Sequence, residues 1–364
     1  MQKKIIALAV AAVASGAAFA QSNVTIYGNL DAGYQSLTGT HRNGTGAYTV
    51  GSATAASING INNGLNKSSM IGFKGEEALG NGMKAVFTAE YNVNVDGAAA
   101  SAQAPGTTGM EASFRQSYVG VSGNFGTLTV GRHYTPFFLV AKAVDPFGAV
   151  GVASILAIHP VGVGAVTRAS NSMNYVSPNI NGFTVGALYG MGEENTTGAV
   201  SNSTASLKGV YSNGPLLVGA AFIRLADNIA NGQHLYSTAI GGAYKFAPLT
   251  LSLMYNSLRS SSSTTNIDNG DWLIGLQVPM GMGTIKAAIN RGNDKTAANK
   301  DATHVGLGYQ YDLSKRTNMY VQYGNVSNNQ DGRYGLTSGA NLAALGANGA
   351  VRTTGLSLGM GHSF

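Results

Sequence analysis

Apolar and polar residues alternate in this chain with a period of two, over segments of about ten residues, from one end of the sequence to the other. Val24, Ile26, Gly28, Leu30, Ala32 and Tyr34 share one parity, and Thr25, Tyr27, Asn29, Asp31 and Gln35 share the other. The pattern returns at Met83–Asn94, where Met83, Ala85, Phe87, Ala89, Tyr91 and Val93 alternate with mostly polar neighbours. It returns again at Phe183–Tyr189, Ala205–Tyr211, Tyr236–Phe246, Leu249–Tyr255, Trp272–Val278, Val305–Tyr311 and Met319–Tyr323. A segment of this kind is a strand with one apolar and one polar face. A strand of about 9–11 residues is long enough to cross a bilayer when tilted. Aromatic residues cluster near the segment ends, where a membrane barrel carries its interfacial girdles.

The connections alternate in length. The short ones are 77–82, 122–126, 177–182, 212–215, 246–249, 279–283 and 313–317. The long ones, 36–67, 96–112, 133–167, 227–235, 260–270 and 328–350, are rich in Gly, Ser and Asn or carry charge. Short turns at one rim and long loops at the other describe a transmembrane antiparallel β-barrel of about sixteen strands. The sequence closes on LSLGMGHSF, and Phe364 shares the parity of Leu356, Leu358 and Met360. A barrel leaves no bare edge in lipid, so 351–364 is expected to pair with 24–35. Phe364 would then lie on the lipid side at the membrane boundary.

Composition agrees with this class. Charged residues make up only 10%, Gly is 51 of 364 residues, and there is no Cys. The 17 Tyr and 12 Phe argue against a disordered glycine-rich chain. Residues 1–20 have the parts of a secretory signal peptide: Lys3 and Lys4, a short apolar run, and Ala18-Phe19-Ala20 before the expected cut. Residues 21–364 are expected to form a single barrel domain. The formal charge of +6 is not gathered into a Lys/Arg run that would suit nucleic acid.

Chemistry-bearing motifs are weak. Gly355-Leu356-Ser357-Leu358-Gly359 has the spacing of a nucleophile elbow, but it sits in an alternating strand rather than at a strand-to-helix turn. His133, His159 and His362 match no metal-ligand spacing. No enzyme, cofactor or metal is expected. A barrel acting as a receptor or adhesin through its long loops is the alternative from another class, and a soluble secreted β protein is a third.

Several segments resemble the trimeric general diffusion porins of Gram-negative outer membranes. They are NVTIYGNLDAGY (23–34), IGFKGEEALGNGMKAVFTAEY (71–91), FRQSYVGVSGNFGTLTVGRHYTP (114–136), VDPFG (144–148), RASNSMNYVSPNINGFTVGALYG (168–190), YDLSKRTNMYVQYG (311–324) and the final Phe364. The resemblance implies a sixteen-stranded homotrimer in outer-membrane lipid that passes small hydrophilic solutes and ions. It implies that the third long loop, 133–167, folds into the lumen and narrows it. It places Arg115 and Arg168 on the wall, Arg132 beside the start of the loop, and Asp145 as the opposing acid. Lys74 has the inward parity of its strand. A surplus of basic over acidic candidates would favour anions weakly, while Asp31, Glu76 and Glu90 share the inward parity and leave the sign of the net field open. Phe364 would be the signal read by the barrel-assembly machinery. The chain departs from the pattern at Met70, in the apolar stretch 148–167, and in the absence of basic residues just before Phe364.

Overall fold

The computed structural model describes residues 23–42, 48–50, 57–95, 114–158, 166–194, 200–201, 203–227, 233–260, 267–329, 334–336 and 350–364. The expected signal peptide, all of loop 96–112, His159 and most of loop 328–350 lie outside these residues.

The strands are β1 (Asn23–Arg42), β2 (Tyr48–Val50), β3 (Ser57–Asn63), β4 (Met70–Gly80), β5 (Met83–Asn92), β6 (Phe114–Gly123) and β7 (Gly126–Tyr134). After helix α1 (Pro136–Val144) come β8 (Arg168–Val176), β9 (Phe183–Gly190), β10 (Glu193–Glu194), β11 (Val200–Ser201), β12 (Thr204–Asn213) and β13 (Leu216–Asp227). The last are β14 (Gln233–Lys245), β15 (Thr250–Ser260), β16 (Asp268–Met280), β17 (Gly283–Asp294), β18 (Ala302–Asp312), β19 (Thr317–Asn328) and β20 (Ala350–Ser363). β2, β10 and β11 are short pairs in the loops, and β3 and β4 share one stave beside β1. Sixteen antiparallel staves remain, each bonded to the next. The ring closes as expected: Asn29 pairs with Ser363, Leu30 with His362 and Tyr34 with Leu358. Gly28 and Phe364 exchange backbone hydrogen bonds of 3.0 and 3.1 Å.

Local sequence explains the tight rim. Asn81-Gly82 and Asn181-Gly182 both have positive φ at both residues, the backbone that a two-residue hairpin turn needs. Large apolar side chains cover the outer face: Val24, Ile26, Leu207, Ile240, Leu253, Leu307, Met319 and Leu358 are all exposed. A soluble sheet would bury them, and a barrel in lipid exposes them.

Two expectations change. The first long loop is shorter than 36–67, because β1 runs on to Arg42 and β3 pairs with it from Ser57 to Asn63. The chain instead leaves the wall at 64–69, and the Asp31 carboxylate receives it there through the backbone N–H groups of Leu65 (2.8 Å), Asn66 (3.3 Å) and Lys67 (3.2 Å). The second change is a helix inside the third loop. Thr135 caps α1 by accepting from the Phe138 N–H (3.1 Å), and Pro136 opens it, a pairing that starts helices for steric and hydrogen-bonding reasons.

The third loop does fold into the barrel, and it packs on the inner wall as a small hydrophobic core. Phe137 and Val140 meet Ala221, Ile223, Ala239 and Leu258. Phe138, Ala141, Val144 and Ile155 meet Met254 and Leu273. Phe147 and Ala153 meet Ala288, and Val152, Ala157 and Ile158 meet Leu37, Ala302 and Val326. The described part of the apolar run after Asp145 is thus the buried side of a loop that needs a dry seat. Glycines let its backbone come close: a Cβ on Gly306 would lie 2.6 Å from the Ala153 oxygen, and one on Gly275 would lie 2.4 Å from Pro146.

Candidate constriction site

The wall that the loop leaves open carries the expected arginines. They do not face an acid; they gather around a phenol. Tyr134, at the end of β7, accepts hydrogen bonds from Arg115 Nη2 (2.5 Å) and Arg168 Nη2 (3.2 Å). Arg115 also donates through Nη1 to Asn92 Oδ1 (2.9 Å). The Arg168 guanidinium lies 4.8 Å from the Tyr134 ring centroid, and Lys142 Nζ, from α1, lies 5.6 Å from it. A tyrosine ring can hold several cations at once, because its π face and its hydroxyl oxygen are both electron-rich. Tyr134 also stacks on Phe138 of α1, which ties the loop to the wall at this point.

Arg132 sits at the edge of this group. Its Nε donates to the Phe114 carbonyl (3.1 Å), and one Nη reaches Ser170 Oγ. Lys74, on β4, lies apart from the cluster, with Nζ 5.1 Å from the Tyr27 ring. Tyr27 in turn donates to Glu90 Oε1 (2.8 Å), and Gln116 donates to Glu90 Oε2 (3.1 Å). Glu90 is therefore a carboxylate of this wall that neutral donors hold. Among the described residues, none of Arg115, Arg132, Arg168 and Lys142 forms an ion pair. The Nε atoms of Arg115 and Arg168 are buried without a protein partner.

Register shifts mark these positions. Between β5 and β6, Glu90 pairs with Gln116 and Tyr91 with Phe114, so Arg115 is the unpaired extra residue. Between β7 and β8, Gly131 pairs with Ser172 and His133 with Ala169, and Arg132 lies inside the irregularity. Bulges re-aim side chains. By simple alternation Arg115 would share the outward face with Val119 and Val121, which are exposed.

Asp145 corrects the sequence-based expectation of a facing acid. It is only 4% exposed. Its carboxylate accepts the backbone N–H groups of Phe147 (3.0 Å), Ala149 (3.0 Å) and Ile155 (3.1 Å). Burial pushes the Asp145 carboxyl above its ordinary range, and those donors oppose the shift. The Asp-Pro-Phe-Gly turn spends its acid on holding the loop together. Lys142 and Tyr134 are the residues that sequence reading missed. Lys142 is the lone charge within the apolar helix segment PFFLVAKAV, and this was the available signal. Phe364 is exposed on the outer face, and its ring covers Gly28, where a Cβ would lie 2.3 Å from the ring edge.

Comparison with known proteins agrees with this architecture. Residues 7–331 match the family model described as Gram-negative porin. Outer membrane porin protein 32 of Delftia acidovorans is 30% identical, over all of this chain and all of that protein. An outer membrane porin of Bordetella pertussis is 29% identical, covering 90% of this chain and 95% of the relative. A solved anion-selective porin from Comamonas acidovorans superposes with a TM-score of 0.77 at 25% identity, covering 94% of this chain and 100% of that one. With its closed sixteen-stave barrel and inward-folded third loop, the chain belongs to the Gram-negative porins, outer-membrane channels for passive diffusion.

Proposed function

We propose that the channel is a non-catalytic homotrimer whose constriction, between the third loop and the β4–β8 wall, prefers anions. The observation that carries this is the group around Tyr134: Arg115, Arg168 and Lys142 meet on one ring, with Arg132 beside them and, among the described residues, no carboxylate in an ion pair with any of the four. In a narrow, low-dielectric passage, unneutralised cations raise the local concentration of anions and repel cations. The likeness to a porin described as anion-selective supports the same sign. Lys74 adds positive charge along the same wall, and Glu90 subtracts from it. Asp145 contributes little to the passage because its own loop encloses it.

The sequence features support two further parts of the reading. Residues 1–20 act as a cleaved export signal. Phe364, at the closing strand, is read during barrel assembly. The deciding experiment is the reversal potential of the purified protein in a planar bilayer under a salt gradient. Wild type should show anion preference, with closure in three steps. Arg115→Ser combined with Arg168→Ser should move the reversal potential toward cation preference. An unchanged reversal potential in that double variant would remove the basic cluster from the constriction.

A further inference from the structure

The inner face of the closing strand β20 is built from small residues. Gly355, Ser357, Gly359, Gly361 and Ser363 share that parity, opposite the outward Leu356, Leu358, Met360 and Phe364. The room they leave is taken by chain. A Cβ on Gly359 would lie 2.5 Å from the Tyr320 hydroxyl, and one on Gly361 would lie 3.2 Å from Asp31 Oδ2. Tyr320 of β19 donates to Asp31 Oδ1 of β1 (2.8 Å), so the two side chains close over β20 from either side. The segment 64–69 rides on that carboxylate, and Asn66 reaches further. Asn66 Nδ2 donates to Gln310 Oε1 on β18 (3.3 Å), and Asn66 Oδ1 accepts from Gln322 Nε2 on β19 (2.8 Å).

The same segment meets the third loop. Leu65 is fully buried, and a Cβ on Gly151 would lie 2.2 Å from the Leu65 oxygen and 2.4 Å from Gln322 Oε1. Glycine suits this point twice over, since Gly151 also has a φ of +81°. The loop seats on β13–β19, and the arginine wall spans β4–β8. β20 and β1 lie between the two, and 64–67 covers their inner faces. Lys67 is exposed on this strap. Its Nζ donates to Ser363 Oγ (3.2 Å), and the Ser363 N–H donates to the Arg316 carbonyl (2.8 Å) in the 313–317 turn. The ammonium therefore stands inside, toward the short-turn rim. Among the described residues it forms no ion pair. Asp31 spends its oxygens on three backbone N–H groups and on Tyr320. Asp312 accepts from Gln310 Nε2 (2.8 Å), and Lys286 Nζ lies 3.5 Å from the Oε1 of the same Gln310.

We propose that residues 64–67 are a second inward element of the constriction, and that Lys67 is a further selectivity residue. The role of Lys67 rests on the anion-preferring reading of the channel, whereas the narrowing by 64–67 stands without it. An anion that has passed Arg115, Arg168 and Lys142 meets this ammonium next, on the short-turn side of the third loop. In a water-filled passage narrowed by protein, an unneutralised charge raises the local concentration of anions. The hydrogen bonds of Asn66 and the contact at Gly151 hold the strap against the loop, which keeps Lys67 in the path.

The sequence has no Cys, so Lys67→Cys gives the full protein a single thiol. The folded variant is labelled in detergent with a methanethiosulfonate bearing either a trimethylammonium or a sulfonate group. Mass spectrometry measures the labelling, heat-modifiable gel mobility reports the closed barrel, and planar bilayers under a salt gradient give conductance and reversal potential. Lys67→Cys should lower the anion-to-cation permeability ratio about two-fold, as expected for one exposed charge partly screened by salt. The trimethylammonium adduct should restore the ratio and the sulfonate adduct should lower it further. Both adducts should reduce single-channel conductance below that of the unlabelled variant. Complete labelling that leaves conductance and ratio unchanged would overturn the proposal, and so would a thiol that neither reagent reaches in the folded channel. Reduced conductance at a constant ratio would remove Lys67 from selectivity. A cation-preferring wild type whose conductance still falls on labelling would overturn the anion reading and leave the narrowing by 64–67 in place.

Discussion

Gly324→Ala should narrow the channel without touching a charged group. Gly324 lies on β19, with its missing side chain facing the loop. A Cβ there would fall 2.0 Å from the Val152 carbonyl oxygen and 2.7 Å from its carbon. Ordinary contact begins at 3.4 Å, so the oxygen must retreat by about 1.4 Å. The obstacle is backbone on both sides, and no rotamer change relieves it. β19 is bonded to β18 and β20 along its length, whereas Val152 is held by its packing and by a 3.0 Å hydrogen bond from His304 Nε2. The loop is therefore the part that yields, toward the lumen. Overpacking costs about 1–3 kcal/mol and a strained hydrogen bond about 1 kcal/mol more. That disturbs the loop's seat while leaving the barrel closed. Single-channel conductance should fall, the sign of ion selectivity should persist, and the folded barrel should keep its heat-modifiable mobility. Gly60→Ala is the matched control, because a Cβ there meets nothing within 4 Å. If Gly324→Ala conducts like that control, the loop does not rest on the glycine-lined wall and the packing argument fails.

Lys142→Gln removes the one cation that the loop itself brings to Tyr134. It should weaken anion preference less than Arg115→Ser combined with Arg168→Ser, and reversal potentials in one salt gradient rank the variants. Asp145→Asn should leave the sign of selectivity unchanged but loosen the loop by about 1–3 kcal/mol, since a carboxylate accepting three backbone N–H groups is replaced by a side chain with one acceptor oxygen. Faster cleavage within the loop by added protease checks this, and a large shift in reversal potential with an intact loop would return Asp145 to the lumen. Phe364→Ala should reduce the yield of assembled barrel in membranes, while barrels that do assemble keep wild-type conductance. Normal yield would show that the aromatic ring over Gly28 is dispensable.

Alternation made the barrel legible, because each stave must present lipid on one side and water on the other, and that demand is written at every second residue. The pairing of the ends followed from the same demand. What alternation could not show is the inner wall behind the loop. Ala221, Ile223, Leu258 and Leu273 are apolar although they point inward, since they face Phe137, Phe138 and Val144 rather than water. The apolar residues of the loop and these inward apolar residues are two halves of one core, and Ile155 and Leu273, which share it, stand 118 residues apart in the sequence. Either half alone reads as a departure from a wet-lumen pattern.

The arginines show a second limit. A one-residue slip reverses the face of everything beyond it, so a single extra residue changes which side a charge serves. Nothing in FRQSYVGV announces that Arg115 is unpaired; only the opposing strand, with Glu90 against Gln116 and Tyr91 against Phe114, reveals it. Placed by parity, Arg115 would be a charge in lipid, a costly position with no partner to repay it. Placed by the bulge, it reaches Tyr134 and Asn92 inside. The irregularity next to Arg132 falls within the same patch of wall. Two register faults so close together, each beside an arginine, concentrate charge where the loop brings Lys142. Restoring regular pairing by deleting Arg115 would return its neighbours to strict alternation, and the channel should then lose anion preference while its barrel stays closed.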